Sequence, residues 1–187
     1  MNISKNVLEN IEYIKNLNNN SSDIVCRIIK KRNKIIGYIY LESVSSDDKI
    51  SAFLNKSITK NLSFSNLFEK LENQIFNSHI STSNNYDDIF YYLCSGYTIL
   101  FVEGEIKAIV LETKSTLDRG VSESTSEPII RGPKDSFTEN NAINIGLIRK
   151  RIKDPKLFFE EVKVGRRTKT KVNVIYINDI ADSKNVI

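Results

Sequence analysis

The chain has 187 residues, of which 40% are hydrophobic and 27% charged, so it can bury a proper core in one or two domains. Its formal net charge of +4 is too mild to indicate nucleic-acid binding unless the cations share one face. The longest strongly apolar run, residues 97–102, is far shorter than the ~20 residues of a membrane-spanning helix, and the N-terminus lacks a signal-peptide core. The sequence therefore predicts an ordinary soluble globular chain.

Periodicity predicts that helices and strands alternate along the first part of the chain. Apolar residues three and four positions apart favour helices, and short apolar runs between polar clusters favour strands. Hydroxyl or acidic residues just before an apolar run mark the helix starts. In chain order we predict a helix over 5–17, a loop over 18–22, strands over 24–29 and 35–41 joined by a basic turn, helices over 46–54, 63–75 and 87–95, and a hairpin of strands over 97–102 and 106–113.

A polar loop and a tight turn come next. Residues 115–126 are rich in Ser, Thr and Glu, which is typical of a mobile surface loop. Arg131-Gly132-Pro133 predicts a turn, because Gly tolerates positive φ and Pro fixes φ near the value that opens a helix. Ser136 and Glu139 fit the S/T-x-x-E capping box. We therefore predict a helix over 137–152.

Basic residues cluster around the end of this helix and beyond it. Arg149 and Arg151 lie in its last turn, and Arg166 and Arg167 follow. In one interpretation they complement the negative end of the helix dipole and otherwise form a solvated face. In the other they form a patch that contacts lipid headgroups, phosphate or an acidic partner. Nucleic-acid binding is disfavoured, because Phe158-Phe159 is the segment's only aromatic feature and no RNP, KH or zinc-finger signature occurs.

The sequence contains no pattern that predicts catalysis. Cys26 and Cys94 are far apart in apolar surroundings, so we expect buried free thiols without metal-ligand spacing. His79 is the only histidine, and no feature places it near either thiol. No phosphate-binding loop, G-x-G-x-x-G or H-E-x-x-H occurs. We therefore predict no catalytic residue, no cofactor and no metal site.

Three blocks of the chain resemble one known family. The first is the R-G-P turn with the basic helix after it, the second is residues 165–177, and the third is residues 20–25 followed by 37–41. Together they are similar to the N-terminal soluble domain of the A subunit of GerA-type spore germinant receptors. The positions of the first block that match are Glu127, Arg131, Gly132, Pro133, Phe137, Glu139, Asn144, Leu147, Ile148, Arg149, Arg151 and Ile152.

The resemblance implies a fold, a role and a location. The implied fold is α/β, a mixed sheet flanked by helices, as the first lobe of a two-lobe architecture akin to solute-binding proteins. The implied role is non-catalytic, in signal relay or receptor assembly during nutrient-triggered germination, and the alternative is a module that binds the nutrient directly. The implied partners are further A subunits, B and C subunits and membrane headgroups, but not nucleic acid. The implied location is the cytoplasmic side of the spore inner membrane, as the soluble part of a longer membrane protein.

A weak internal repeat suggests a domain boundary. Residues 39–50 align without gaps against residues 175–186, although chance can produce such a strand-turn-helix likeness. If the repeat is real, residues 1–165 form a first subdomain, and residues 166–187 are a linker and the start of a truncated second one. Its strand would then be an orphan that packs on the first subdomain, pairs with another copy or is poorly ordered.

Two groups of residues are candidates for function. In the first, Arg131 and Glu139 organise the turn, or form only a local ion pair that stabilises it. The second is an interaction surface for another subunit or the membrane. The first group is Arg131, Gly132, Pro133, Ser136, Phe137, Glu139 and Asn144, and the second is Arg149, Arg151, Arg166 and Arg167.

Overall fold

The computed structural model describes residues 2–18, 20–31, 34–55, 68–69, 80–116, 136–182 and 184. The elements in this part of the chain are α1 (Val7–Leu17), β1 (Ile24–Lys31), β2 (Lys34–Leu41), α2 (Asp47–Leu54), β3 (Ile80–Ser83), α3 (Tyr86–Cys94), β4 (Tyr97–Val102), β5 (Ala108–Glu112), α4 (Asn141–Arg151), β6 (Leu157–Val164) and β7 (Thr170–Ile177). The predicted helix over 63–75 falls outside the described residues except at 68–69, which are helical. Among the described helices, none is long and apolar enough to cross a membrane.

Three helices begin with the same Ser/Thr-x-Asn sequence. Asn6, Asn85 and Asn140 are the N-cap residues of α1, α3 and α4, and their side chains accept from backbone N–H groups of the first turn, two for Asn6 and Asn140 and one for Asn85. The hydroxyl two residues earlier accepts the backbone N–H of the asparagine, at 3.2 Å in α1 and α3 and at 3.1 Å in α4. These contacts satisfy donors that a helix start leaves unpaired.

The start of α4 differs from the prediction. Asn140 caps the helix by accepting from two N–H groups at 3.0 and 3.4 Å, so the predicted capping box of Ser136 and Glu139 was wrong. The Asn144 carboxamide accepts the Thr138 N–H at 2.8 Å and donates to the Thr138 carbonyl at 2.7 Å. This pair of bonds holds residues 136–140 as an extended lead-in, because the backbone polar groups of Thr138 are occupied by the helix that follows.

Five strands form one antiparallel sheet in the order β1-β2-β4-β5-β3. The predicted hairpins β1–β2 and β4–β5 are both present, with Cys26 opposite Ile39 and Ile99 opposite Val110. The pairing of Ile39 with Ile99 joins the two hairpins. Strand β3, which the sequence did not predict, extends the sheet beyond β5.

Helices cover both faces of this sheet, which explains why β4 is apolar along most of its length. On one face, Ile39 and Ile99 pack against α1 and α3. On the other, Leu100 and Ile109 belong to a cluster that includes Phe53 of α2. Alternate side chains of a strand point to opposite faces, so a strand covered on both sides is buried at every position. The predicted α/β class, a sheet flanked by helices, is confirmed, whereas the described strand pairings of this sheet are all antiparallel and not mixed as predicted.

Gly37 allows α1 to lie directly on β2. A Cβ atom at this position would be 2.6 Å from both Val7 Cγ1 and Ile11 Cδ1. Real contacts of this kind are not so short, so any other residue would require the side chains of Val7 and Ile11, or α1 itself, to shift.

The last two strands form a separate antiparallel ribbon. Strand β6 was not predicted, and β7 pairs with it from Leu157 opposite Ile177 to Val164 opposite Thr170. The prediction of an orphan C-terminal strand was therefore wrong, because β6 is its partner within the chain. The boundary predicted between residues 165 and 166 falls in the turn of the ribbon, and the division into two subdomains stays a prediction.

One end of the ribbon is anchored and the other is exposed. Leu157 and Phe159 of β6 are buried in a cluster with Ile145 of α4, and Ile148 and Ile177 pack against it. From residue 160 onwards every residue of β6 is exposed. Among the described residues, the buried side chains of β6 therefore all lie at the base of the ribbon.

Candidate functional site

Arg149 is fully buried. Its side chain is 0% exposed and makes an ion pair with Asp23, in which Nε donates to Oδ2 at 2.9 Å and Nη2 donates to Oδ1 at 3.1 Å. This two-pronged geometry is the strong form of a charge-assisted hydrogen bond. The prediction that Arg149 belongs to an interaction surface was wrong, because Asp23 compensates its charge inside the protein.

The remaining polar atoms of this pair also have partners. Ser21 Oγ donates to Asp23 Oδ1 at 2.7 Å, and Ser43 Oγ donates to Asp23 Oδ2 at 3.2 Å. Arg149 Nη1 donates to the carbonyl oxygen of Asp154 at 3.3 Å. The guanidinium also lies over the Phe159 ring, 4.7 Å from its centroid. A buried ion pair is tolerated when its polar atoms are satisfied in this way.

The ion pair joins parts of the fold that are distant in sequence. Ser21 and Asp23 lead into β1, Ser43 follows β2, Arg149 lies on α4 and Phe159 on β6. The Phe159 N–H donates to Ser21 Oγ at 3.0 Å, which ties the base of the ribbon to the same group. We call Ser21, Asp23, Ser43 and Arg149 the charged junction. It connects the five-stranded sheet, α4 and the ribbon.

Some of the residues predicted to organise the turn fall outside the described residues, and the others follow directly after that gap. Arg131, Gly132 and Pro133 fall outside the described residues, so an ion pair between Arg131 and Glu139 stays a prediction. Phe137 is 67% exposed and Glu139 is exposed, both ahead of α4.

The other predicted basic residues lie at the surface, away from Arg149. Arg151 ends α4, and Arg166 and Arg167 lie in the ribbon turn, all three exposed. The ribbon around that turn combines exposed apolar side chains with cations. We define the ribbon surface by residues on both faces and at the tip of the ribbon: Val162, Val164 and Val172 share one face, Ile175, Lys163 and Lys171 share the other, and Arg166, Arg167 and Lys169 lie in the turn.

A second feature is a concave site of about 310 Å³ where α3, β4, β5 and α4 approach one another. Lys114, Lys150 and Lys153 line it together with Ser95 and Ser115. Sequence reasoning missed this site, because Lys150 and Lys153 were assigned to a solvated basic segment and Lys114 carried no pattern. We call it the lysine pocket.

The thiols are in environments that suppress ionisation. Burial raises the pKa of Cys94 to about 11 and that of Cys26 to about 11, with Arg149 opposing the shift at Cys94. His79 lies outside the described residues. Among the residues that are described, no group of three or more His, Cys, Asp or Glu side chains is arranged to hold a metal ion.

The fold and the charged junction together define a structural class. The described part of the chain is an α/β domain with a covered antiparallel sheet and a projecting ribbon that a buried ion pair links to it. Residues 12–187 match the family described as Bacillus/Clostridium GerA spore germination protein. The chain belongs to this GerA family of spore germination proteins.

Two curated relatives come from Bacillus subtilis (strain 168). Stage V sporulation protein AF is 30% identical over 96% of this chain and 38% of its own length. Spore germination protein KA is 28% identical over 97% of this chain and 35% of its own length. The chain thus spans little more than a third of the relatives that it matches.

One solved structure is similar along the whole chain. It is the crystal structure of the N-terminal domain of the A subunit of the Bacillus megaterium spore germinant receptor GerK3. The TM-score is 0.79 at 29% identity, and the match covers 100% of this chain and 70% of that one. The fold of this chain is therefore that of a germinant-receptor A-subunit N-terminal domain.

Proposed function

We propose that this chain is the N-terminal part of a spore germinant receptor A subunit, and that it takes part in receptor assembly or signal relay without catalysing a reaction. The single observation that carries the proposal is the ribbon surface. Three exposed valines that share one face of the ribbon, next to a cationic turn, are unusual for a region in contact with water alone and are typical of an interaction site.

The composition of the ribbon surface favours an acidic partner. Glu160 and Glu161 are the exposed carboxylates within the two strands, and Lys171 pairs with Glu161 at 3.0 Å. An exposed pair of this kind contributes little to stability. The surplus of positive charge is concentrated around Arg166 and Arg167, where it would steer an anionic partner to the tip of the ribbon.

The charged junction offers a route for relay. A displacement of the ribbon would act at its base on Phe159, which contacts both Ser21 and Arg149. Through Asp23 the same group reaches β1 and the loop after β2. A displacement of the ribbon would therefore alter the contacts at one end of the five-stranded sheet.

The partners follow from this role. They are other copies of the A subunit and the B and C subunits of the receptor, with anionic lipid headgroups as a further contact. We place the domain on the cytoplasmic side of the spore inner membrane, as the soluble part of a longer membrane protein. Arg151, Arg166 and Arg167 remain the candidate contact residues, and Arg149 is withdrawn from that set.

The test reverses the charge at the ribbon tip in the full-length A subunit. Spores that carry Arg166→Glu and Arg167→Glu should lose co-purification of the receptor subunits and respond poorly to nutrient. The purified domain with the same changes should keep its unfolding temperature, because both side chains are exposed.

A matched control reverses two charges elsewhere. Arg27 and Lys30 are exposed on the edge strand β1, which belongs to the five-stranded sheet and not to the ribbon. Arg27→Glu with Lys30→Glu should leave assembly and germination unchanged. Normal assembly and germination in the ribbon variant, or an equal loss in the control, would refute the contact role of the ribbon surface.

Direct nutrient sensing is the second candidate function, and the lysine pocket favours it. Its volume of about 310 Å³ lies at the lower end of the range of roughly 300–1,000 Å³ for small-molecule sites. Apolar and aromatic walls with a few polar groups, here Val44, Tyr91 and Tyr97 with the lysines, are also typical of such sites.

A further inference from the structure

We propose that the lysine pocket binds a small anion through a carboxylate or phosphate group. This inference does not depend on the role of the ribbon surface, and it gives the ligand class for direct sensing. Three steps support it: the charge of the lining, the placement of the ammonium groups, and two hydroxyl groups without partners.

The described lining of the pocket carries positive charge only. Lys114, Lys150 and Lys153 contribute ammonium groups, and none of the described lining residues has a carboxylate. Glu112 pairs with Lys114 at 3.5 Å from outside the lining and offsets one charge. The remaining surplus makes the concave site attractive to an anion, because the walls of a cleft concentrate the field of the charges that line it.

Two of the ammonium groups are positioned by aromatic rings. Lys114 Nζ lies 4.6 Å from the centroid of Tyr97, and Lys153 Nζ lies 5.4 Å from the centroid of Tyr91. Hydrogen bonding to Tyr97 and the nearby Glu112 carboxylate raise the pKa of Lys114, so this group is charged at neutral pH. A lysine that is already held against a ring has less side-chain conformational entropy to lose when it binds a ligand.

The pocket also contains hydroxyl groups that lack partners. Ser95 Oγ and Ser115 Oγ are buried atoms without a hydrogen-bond partner in the described structure. A buried donor without an acceptor is costly, and such groups are rare unless a ligand or water completes them. Rotation of either serine about χ1 would bring its hydroxyl to an oxygen of a carboxylate or phosphate that the lysines bind.

The lysines are not required as caps for α3. The Ser95 N–H donates to the Tyr91 carbonyl at 3.1 Å, and the Gly96 N–H donates to the Leu93 carbonyl at 3.0 Å. These backbone bonds satisfy the last turn of the helix. The end of α3 therefore does not account for the lysine cluster, and Lys150, in the last turn of α4, also complements the dipole of its own helix.

The experiment titrates the 187-residue chain with potassium phosphate and, separately, potassium acetate, at constant ionic strength set with potassium chloride. Calorimetry and the unfolding temperature are the two measurements. We expect saturable binding of one anion, and its identity distinguishes a phosphate site from a carboxylate site. Absence of saturable binding for both anions would overturn the proposal.

Matched variants locate the site. Lys153→Gln should weaken binding at least about tenfold, whereas Lys163→Gln on the ribbon removes the same charge from an exposed position and should have no effect. Ser115→Ala should also weaken binding while the unfolding temperature of the free protein is kept, because the hydroxyl has no hydrogen-bond partner among the described residues. Equal weakening by Lys153→Gln and Lys163→Gln would mean that net charge alone attracts the anion, and would overturn the pocket as its site.

Neither result bears on the ribbon. Loss of assembly in the Arg166→Glu, Arg167→Glu subunit, together with unaltered anion binding by that domain, would separate the two proposals. Failure of either one therefore leaves the other to be judged on its own measurement.

Discussion

Arg149 and Asp23 are 126 residues apart in the sequence and meet as a fully buried, two-pronged ion pair. Removal of the carboxylate would leave the guanidinium buried without its counter-charge. We therefore expect Asp23→Ala to lower the free energy of unfolding by about 3–5 kcal/mol. Urea denaturation followed by circular dichroism measures this change.

Two comparisons show whether the pair itself is responsible. Arg151→Ala, on the same helix but exposed, should change the free energy of unfolding by no more than about 0.5 kcal/mol. The double variant Asp23→Ala, Arg149→Ala should cost less than the sum of the single changes, because the second removes a charge that the first left unpaired. Strict additivity would mean that the two side chains do not interact.

The local parts of the fold could be predicted from the sequence, and the junction could not. The two hairpins were predicted because apolar runs on either side of a turn specify a strand pair locally. Arg149 was assigned to a surface because a cation in the last turn of a helix is usually explained by the helix dipole. No pattern within one segment shows that Asp23 is its partner.

The start of α4 is a different kind of error. Ser136 with Glu139 fits a known cap pattern, whereas the structure begins the helix later than that pattern requires, with Asn140 as the N-cap. The available signal was repetition, because Ser/Thr-x-Asn also precedes α1 and α3. The lysine pocket was missed for a further reason, since it forms only when α4 approaches the end of β5.

The cap of α4 gives the second prediction. Asn140→Ala should lower the free energy of unfolding by about 1 kcal/mol, because two N–H groups of the first turn lose their acceptor. Glu139→Ala should change it by less than about 0.5 kcal/mol, because that residue is exposed outside the helix. Chemical denaturation of the two variants in parallel tests the assignment, and a larger loss for Glu139→Ala would restore the capping box.

The contact of α1 with β2 gives the third prediction. Gly37→Ala should cost about 1–3 kcal/mol in the free energy of unfolding, because the added methyl group would lie 2.6 Å from Val7 Cγ1. Val7→Ala opens space on the helix at the same point. The double variant should therefore be less destabilised than the sum of the two single changes. If the double variant were destabilised by as much as that sum, or by more, Gly37 would be needed for a reason other than its contact with Val7.

Alkaline pH should destabilise the protein through its buried thiols. Burial raises the pKa of Cys94 from 9.0 to about 11, so this thiol keeps its proton in the folded state while the unfolded chain ionises. The free energy of unfolding should accordingly fall as the pH rises from about 9 to about 11, by roughly 2 kcal/mol for this residue. Cys26 and Tyr40, whose pKa values burial raises to about 11 and about 12, act in the same direction. Urea denaturation at pH 8 and pH 10.5 should show a smaller fall for Cys94→Ala than for the original chain, and equal falls would mean that Cys94 ionises as easily in the folded protein as in the unfolded one.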